Sequence, residues 1–185
     1  MRHLAILLVL LLAATPAGAR QVGGVNLPDS IRLADTELRL NGAGIRTKFF
    51  LKIYVGALYL PARTTDAATA IEMPGPKRIG MHFLFSEIPR DKLVEGWIEG
   101  FENNHTPAQM AALSSRLARF NALFPDLHAG DVVQFDFIPD SGTEVRINGE
   151  LRDTIPGADF NRALLRVWLG DRPGDRSLRK AMLGG

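Results

Sequence analysis

An arginine and a tyrosine eight positions apart, Arg46 and Tyr54, stand with Lys48 and Lys52 inside a run from Leu40 to Leu60 that is otherwise apolar and strand-like. Cationic and phenolic groups donate strong hydrogen bonds to anions and oxyanions, work that an apolar run of this kind does not do by itself. In an extended chain the charges at 46, 48 and 52 share the even-numbered face with Tyr54. Gly42 and Gly44 precede Arg46 and permit a positive φ or a close backbone approach, so the spacing predicts a guanidinium presented from a tight bend. The plain alternative is a surface arginine beside a turn.

Other chemistries have weaker footing. The four histidines, at 3, 82, 105 and 128, are widely separated and lack the spacing of a metal site; His82 reads as a packed or edge residue of a strand. Gly42-Ala43-Gly44 lacks the third glycine and following helix of a dinucleotide fingerprint, and no phosphate-binding loop sequence occurs. No serine sits in a Gly-x-Ser-x-Gly elbow. Glu95 and Glu99 make an i, i+4 pair on a helix face opposite its apolar stripe, which reads as solvated surface. The sequence has no cysteine, so disulfides, thiol chemistry and thiolate metal sites are excluded. Neither a metal nor a cofactor is expected.

The elements that must position the cations follow from length and pattern. With 185 residues and 46% hydrophobic content, the chain suits a single domain with a substantial core. Met1-Arg2-His3, an apolar run from Leu4 to Ala14 and Thr15-Pro16-Ala17-Gly18-Ala19 read as a signal peptide cleaved after Ala19, leaving a domain of residues 20–185. An apolar stretch of about a dozen residues is shorter than the roughly 20 that a spanning helix needs, so no membrane span is expected in the mature protein. The formal charge of +2 falls when Arg2 leaves, which argues against nucleic acid as a partner.

Gln21 to Leu40 reads as a lead-in segment with a short strand, and Ile45 to Leu60 as a strand run ended by Pro61. Thr64 to Glu72 suggests a short helix and Arg78 to Phe85 another strand. Leu93, Val94, Trp97, Ile98 and Phe101 recur at helical spacing, giving an amphipathic helix over 89–101. Thr106-Pro107-Ala108-Gln109 starts a helix with a capping box, and Met110, Leu113, Leu117, Phe120 and Phe124 form its core stripe. Gly130-Asp131 opens a strand in which Val133, Phe135 and Phe137 alternate with polar residues; 143–147 is its return strand, and Asn148-Gly149 signals a second hairpin. A helix over 158–169 capped by Gly170 and a short terminal helix complete the chain. The order predicts an α+β fold, an antiparallel sheet with helices gathered on one face.

Four blocks, Asn41-Gly42-Ala43-Gly44-Ile45-Arg46, then 52–60, then Gly130-Asp131-Val132-Val133-Gln134-Phe135, then 163–170, resemble in content and order the chalcone isomerase family. The resemblance spans nearly the whole mature chain. It implies an open-faced β-sandwich, a large antiparallel sheet covered by a helical layer, with the ligand cleft between them. The plant enzymes of that family close a chalcone with an arginine, a threonine, a tyrosine, an asparagine and a late Thr/Ser-Met pair. Carried over position by position, the arginine remains as Arg46, whereas the other positions hold Tyr54, Phe85, Lys92 and Val167-Trp168. The fatty-acid-binding relatives pair the same arginine with a tyrosine at the place of Tyr54, and this chain has that pair.

The resemblance therefore implies a bacterial binder of a small apolar acid or another hydrophobic small molecule, and the signal peptide read above adds a periplasmic or secreted setting. Arg46 and Tyr54 would hold the head group, and Phe50, Phe85, Trp97, Val167 and Trp168 would be candidate walls beside Lys92. Two alternatives stand next to it: an isomerase or intramolecular lyase using Arg46 for an oxyanion and Lys92 or Tyr54 as acid or base, and an accessory protein with a vestigial cleft. One geometric condition is attached. In an uninterrupted strand Arg46 and Tyr54 are about 26 Å apart. They can share a ligand only if the chain reverses between them, where Thr47-Lys48 offers the turn.

Overall fold

The computed structural model describes residues 18–185; of the expected signal peptide, residues 1–19, all but the last two lie outside them. In chain order the described elements are β1 (Ala19–Val22), β2 (Val25–Pro28), β3 (Ser30–Leu33), β4 (Thr36–Lys48), β5 (Leu51–Leu60), α1 (Ala67–Glu72), β6 (Lys77–Phe83) and β7 (Glu87–Ile88). There follow α2 (Arg90–Glu102), α3 (Pro107–Asn121), β8 (Leu127–His128), β9 (Val132–Ile138), β10 (Gly142–Ile147), β11 (Glu150–Ile155), α4 (Ala158–Leu169) and α5 (Arg176–Met182). Seven strands form one sheet in the order β11-β10-β9-β6-β5-β4-β3, each neighbouring pair antiparallel. The α+β expectation holds.

Period-two alternation divides the sheet into two faces. Tyr54, Leu58 and Leu60 of β5, Ile79, Met81 and Phe83 of β6, and Val133, Phe135 and Phe137 of β9 pack against the helices in the main core. Val55, Ala57 and Tyr59 point the other way, into a smaller core with Leu27, Leu33, Leu38 and Leu40. The capping box at the start of α3 forms as its sequence predicts: Thr106 Oγ1 accepts from Gln109 N, and Gln109 Oε1 accepts from Thr106 N. Asn148 and Gly149 both take positive φ in the β10–β11 turn, as the Asn-Gly pair predicts.

A β-bulge at Asn41 decides where Arg46 points. Leu40 pairs with Tyr59, but Gly42 pairs with Leu58, so Asn41 is an extra residue and the face of every later even position is inverted. Leu38 and Leu40 face the smaller core, whereas Gly42, Gly44 and Arg46 face the helices. The Asn41 side chain secures the bulge: its Nδ2 donates to Thr64 O at 3.0 Å and Met182 O at 2.8 Å, while its Oδ1 accepts from Thr64 N at 2.8 Å. The two glycines do not make the bend expected of them. Both lie within β4, and neither takes a positive φ. They make room for α5 instead: a Cβ on Gly42 would lie 2.1 Å from Ala181 O, and one on Gly44 2.6 Å from Ala181 Cβ.

The chain does reverse between Arg46 and Tyr54, two residues later than Thr47-Lys48. Phe49 and Phe50, at φ 50° and 65°, form the two-residue turn between β4 and β5. Hairpin turns of this length favour Asn-Gly, because both central residues need the left-handed region. Phenylalanine there carries a backbone strain of order 1–3 kcal/mol per residue. Phe50 is consequently not a wall of any cleft; it is 101% exposed at the hairpin tip, beside Phe49 at 82%. The double substitution Phe49→Asn/Phe50→Gly should stabilise the fold by roughly 1–2 kcal/mol through relief of that strain. Urea denaturation measures it, as a higher midpoint at unchanged slope.

Candidate functional site

The reversal makes Arg46 and Tyr54 direct cross-strand partners, with side chains on the same face. The guanidinium carbon lies 5.8 Å from the Tyr54 ring centroid. Tyr54 is buried, and Trp168 Nε1 donates to its phenolic oxygen at 3.0 Å. That oxygen is thereby occupied as an acceptor, which leaves the O–H to donate elsewhere. Among the described residues it meets no acceptor, and no carboxylate forms an ion pair with Arg46. The site therefore presents two donors without acceptors.

Asp175 would be the natural partner for Arg46, but both its oxygens are engaged. Oδ2 accepts from Thr47 N at 3.1 Å, and Oδ1 caps α5 through Leu178 N at 2.9 Å. The pKa of the guanidinium is raised, first by the neighbouring Tyr54 phenol and then by Asp175 and Glu99, against the opposing effect of burial. Arg46 is thus held charged at any pH the protein meets.

Two cavities adjoin this pair. The larger, about 310 Å³, runs between the sheet and α2, with Met81, Phe83, Phe85, Leu93 and Trp97 as apolar walls. The smaller, about 140 Å³, is bounded by Val167, Trp168, Gly174 and Leu178. Arg46, Lys48, Tyr54, Gly96 and Glu99 border both. Aromatic contacts fix the walls: Tyr54 and Phe83 have ring centroids 5.6 Å apart, and so do Trp97 and Trp168. The indole N–H of Trp97 is buried and finds no acceptor among the described residues.

The structure thus brings together Arg46, Tyr54, Phe85, Trp97, Val167 and Trp168, and leaves Phe50 outside. Lys92 reaches only the rim, where its Nζ pairs with both oxygens of Glu95, at 3.0 and 2.9 Å. Both residues are well exposed. Hydrogen bonding to Glu95 raises the Lys92 pKa, away from the range in which an amine serves as a base near neutral pH.

Four further residues, Glu99, Asp175, Gly174 and Gly96, border the cavities without having been singled out as site residues in the sequence. Glu99, read as plain surface, lies beside both cavities; only the position of α2 over the hairpin reveals this. Asp175 and Gly174 arrive through the docking of α5 on β4. Gly96 left a signal in the sequence, since a glycine inside a helix costs roughly 1 kcal/mol against alanine. A Cβ at Gly96 would meet nothing within 4 Å, so the glycine serves no close packing and leaves the cleft open.

The family model for chalcone isomerase-like proteins matches residues 19–184. Among solved structures, a fatty-acid binding protein of Arabidopsis thaliana superposes with a TM-score of 0.68 at 16% identity, covering 86% of this chain and 92% of that one. No curated protein matches the sequence. At such low identity the structural likeness speaks to the fold alone. The family match over almost every described residue places the chain in the chalcone isomerase-like family, and the sheet topology agrees with it.

Proposed function

We propose that the protein binds a small apolar carboxylate, such as a fatty acid, in the cleft between β4–β5 and α2, and releases it unchanged. The observation that carries this reading is the Arg46–Tyr54 pair, a fork and a phenol with no acceptor of their own at the junction of two cavities. A carboxylate supplies what both donors lack, by charge-assisted hydrogen bonds. Met81, Phe83 and Trp97 would line the tail. About 310 Å³ is at the lower end of ligand pockets, which start near roughly 300 Å³. That suits a short tail, or a longer one that leaves through the cleft mouth. The leader read in residues 1–19 supports a periplasmic or secreted setting.

Binding without turnover is favoured over an isomerase because the residues around Arg46 offer poor proton transfer. Phe85 and Val167 carry no polar group, and Lys92, at the exposed border of the larger cavity, is held by Glu95. A vestigial cleft is disfavoured by the open space beside Gly96.

Calorimetric titration with dodecanoate and its methyl ester tests the proposal. Saturable one-to-one binding of the acid, with the ester at least about tenfold weaker, is expected. Equal binding of both, or none of either, would sink it. Naringenin chalcone should cyclise no faster with the protein than without. Gly96 provides an independent handle: Gly96→Ala should stabilise α2 by roughly 0.5–1 kcal/mol, whereas Gly96→Leu should fill the cleft and weaken dodecanoate by at least about tenfold. Circular dichroism of both variants separates blockage from misfolding.

A further inference from the structure

The Phe49-Phe50 turn is unfavourable twice over. Two aromatic side chains occupy backbone conformations that suit glycine and asparagine, and both stand in solvent, with Leu51 beside them half exposed. Nothing in the described chain covers them. Lys48 and Lys52, both exposed, flank the turn, and Lys48 Nζ lies 5.8 Å from the Phe49 ring centroid. From Gly44 to Leu60 the sequence holds no aspartate or glutamate. Apolar rings at a projecting tip, bracketed by amines and with no acid in the hairpin itself, match the interface of an anionic bilayer; Glu87, Glu95, Glu99 and Asp175 lie around the cavities behind the tip. There the rings enter the acyl boundary while the amines meet lipid head groups.

The tip also stands at the mouth of the cleft: Lys48 borders both cavities, and Arg46 is two residues before it. We infer that the β4–β5 hairpin tip docks the protein on an anionic membrane surface, bringing the cleft mouth to the lipid. A second copy of the chain is a poorer occupant, since a symmetric contact would bring Lys48 and Lys52 of both copies together. The docking stands independently of what the cleft holds. On the proposed function it would put the site where apolar acids partition.

Vesicle flotation tests it, with equimolar phosphatidylglycerol and phosphatidylcholine against phosphatidylcholine alone. Wild type should float with the anionic vesicles and be released by high salt. Phe49→Asn/Phe50→Gly, chosen because it relieves strain and should fold better, should lose partitioning by at least about tenfold. Lys48→Glu/Lys52→Glu should lose the preference for anionic lipid. The inference is overturned if wild type stays in solution with both vesicles, or if the Phe49/Phe50 variant floats equally well. It is also overturned if sedimentation velocity without vesicles shows a wild-type dimer that this variant dissolves, since the tip would then be a protein interface. The Phe49/Phe50 variant should bind dodecanoate from solution as wild type does. Wild type that binds dodecanoate yet stays in solution with both vesicles refutes docking alone, and wild type that floats yet binds no dodecanoate refutes the cleft reading alone.

Discussion

Gly42→Ala should destabilise the protein by about 3 kcal/mol or more and detach α5, although it adds a single methyl group. The new Cβ would meet Ala181 O at 2.1 Å and Met182 O at 2.8 Å, both backbone atoms that cannot rotate away. Either β4 or α5 must shift. A shift of α5 breaks the bond from Asn41 Nδ2 to Met182 O and moves Asp175, which joins Thr47 N to the helix start. Hydrogen exchange should show early loss of protection in 176–182, and chemical denaturation the fall in stability. Ala43→Gly, one residue along on the opposite face and partly buried, is the control and should cost no more than roughly 1 kcal/mol.

Arg46→Met should weaken dodecanoate by about 10–100-fold while leaving the fold intact. A hydrogen bond to a charged group contributes roughly 1.5–3 kcal/mol, and methionine keeps most of the stem volume of arginine. Arg46 makes no ion pair among the described residues, so its removal strands no buried carboxylate. The methyl ester should bind the variant and wild type alike. A variant that holds the acid as tightly as wild type would show that the head group lies elsewhere.

Helices with local signals were legible in the sequence. The capping box at Thr106 and the span of α4 are both decided within a few residues, so chain pattern alone suffices. Arg46 was legible as a candidate, and its pairing with Tyr54 came through the family resemblance. The turn that unites them was not, because Phe49-Phe50 has none of the chemistry that favours positive φ, and the hairpin is imposed by pairing along the whole of β4 and β5. The bulge at Asn41 was hidden for a related reason. Its bonding partners, Thr64 and Met182, are 23 and 141 residues away. Glu99 and Asp175 reach the cleft through tertiary docking, which periodicity does not encode.

On the proposed function, a carboxylate sits between the Arg46 guanidinium and the Tyr54 phenol. A crystal structure of the protein with dodecanoate measures it directly. Carboxylate oxygens are expected about 2.7–2.9 Å from an Arg46 nitrogen and from Tyr54 Oη, with the tail along Phe83 and Trp97. A carboxylate bound outside the cleft, or a tail lying on the Phe49-Phe50 tip with the cavities empty, would contradict it.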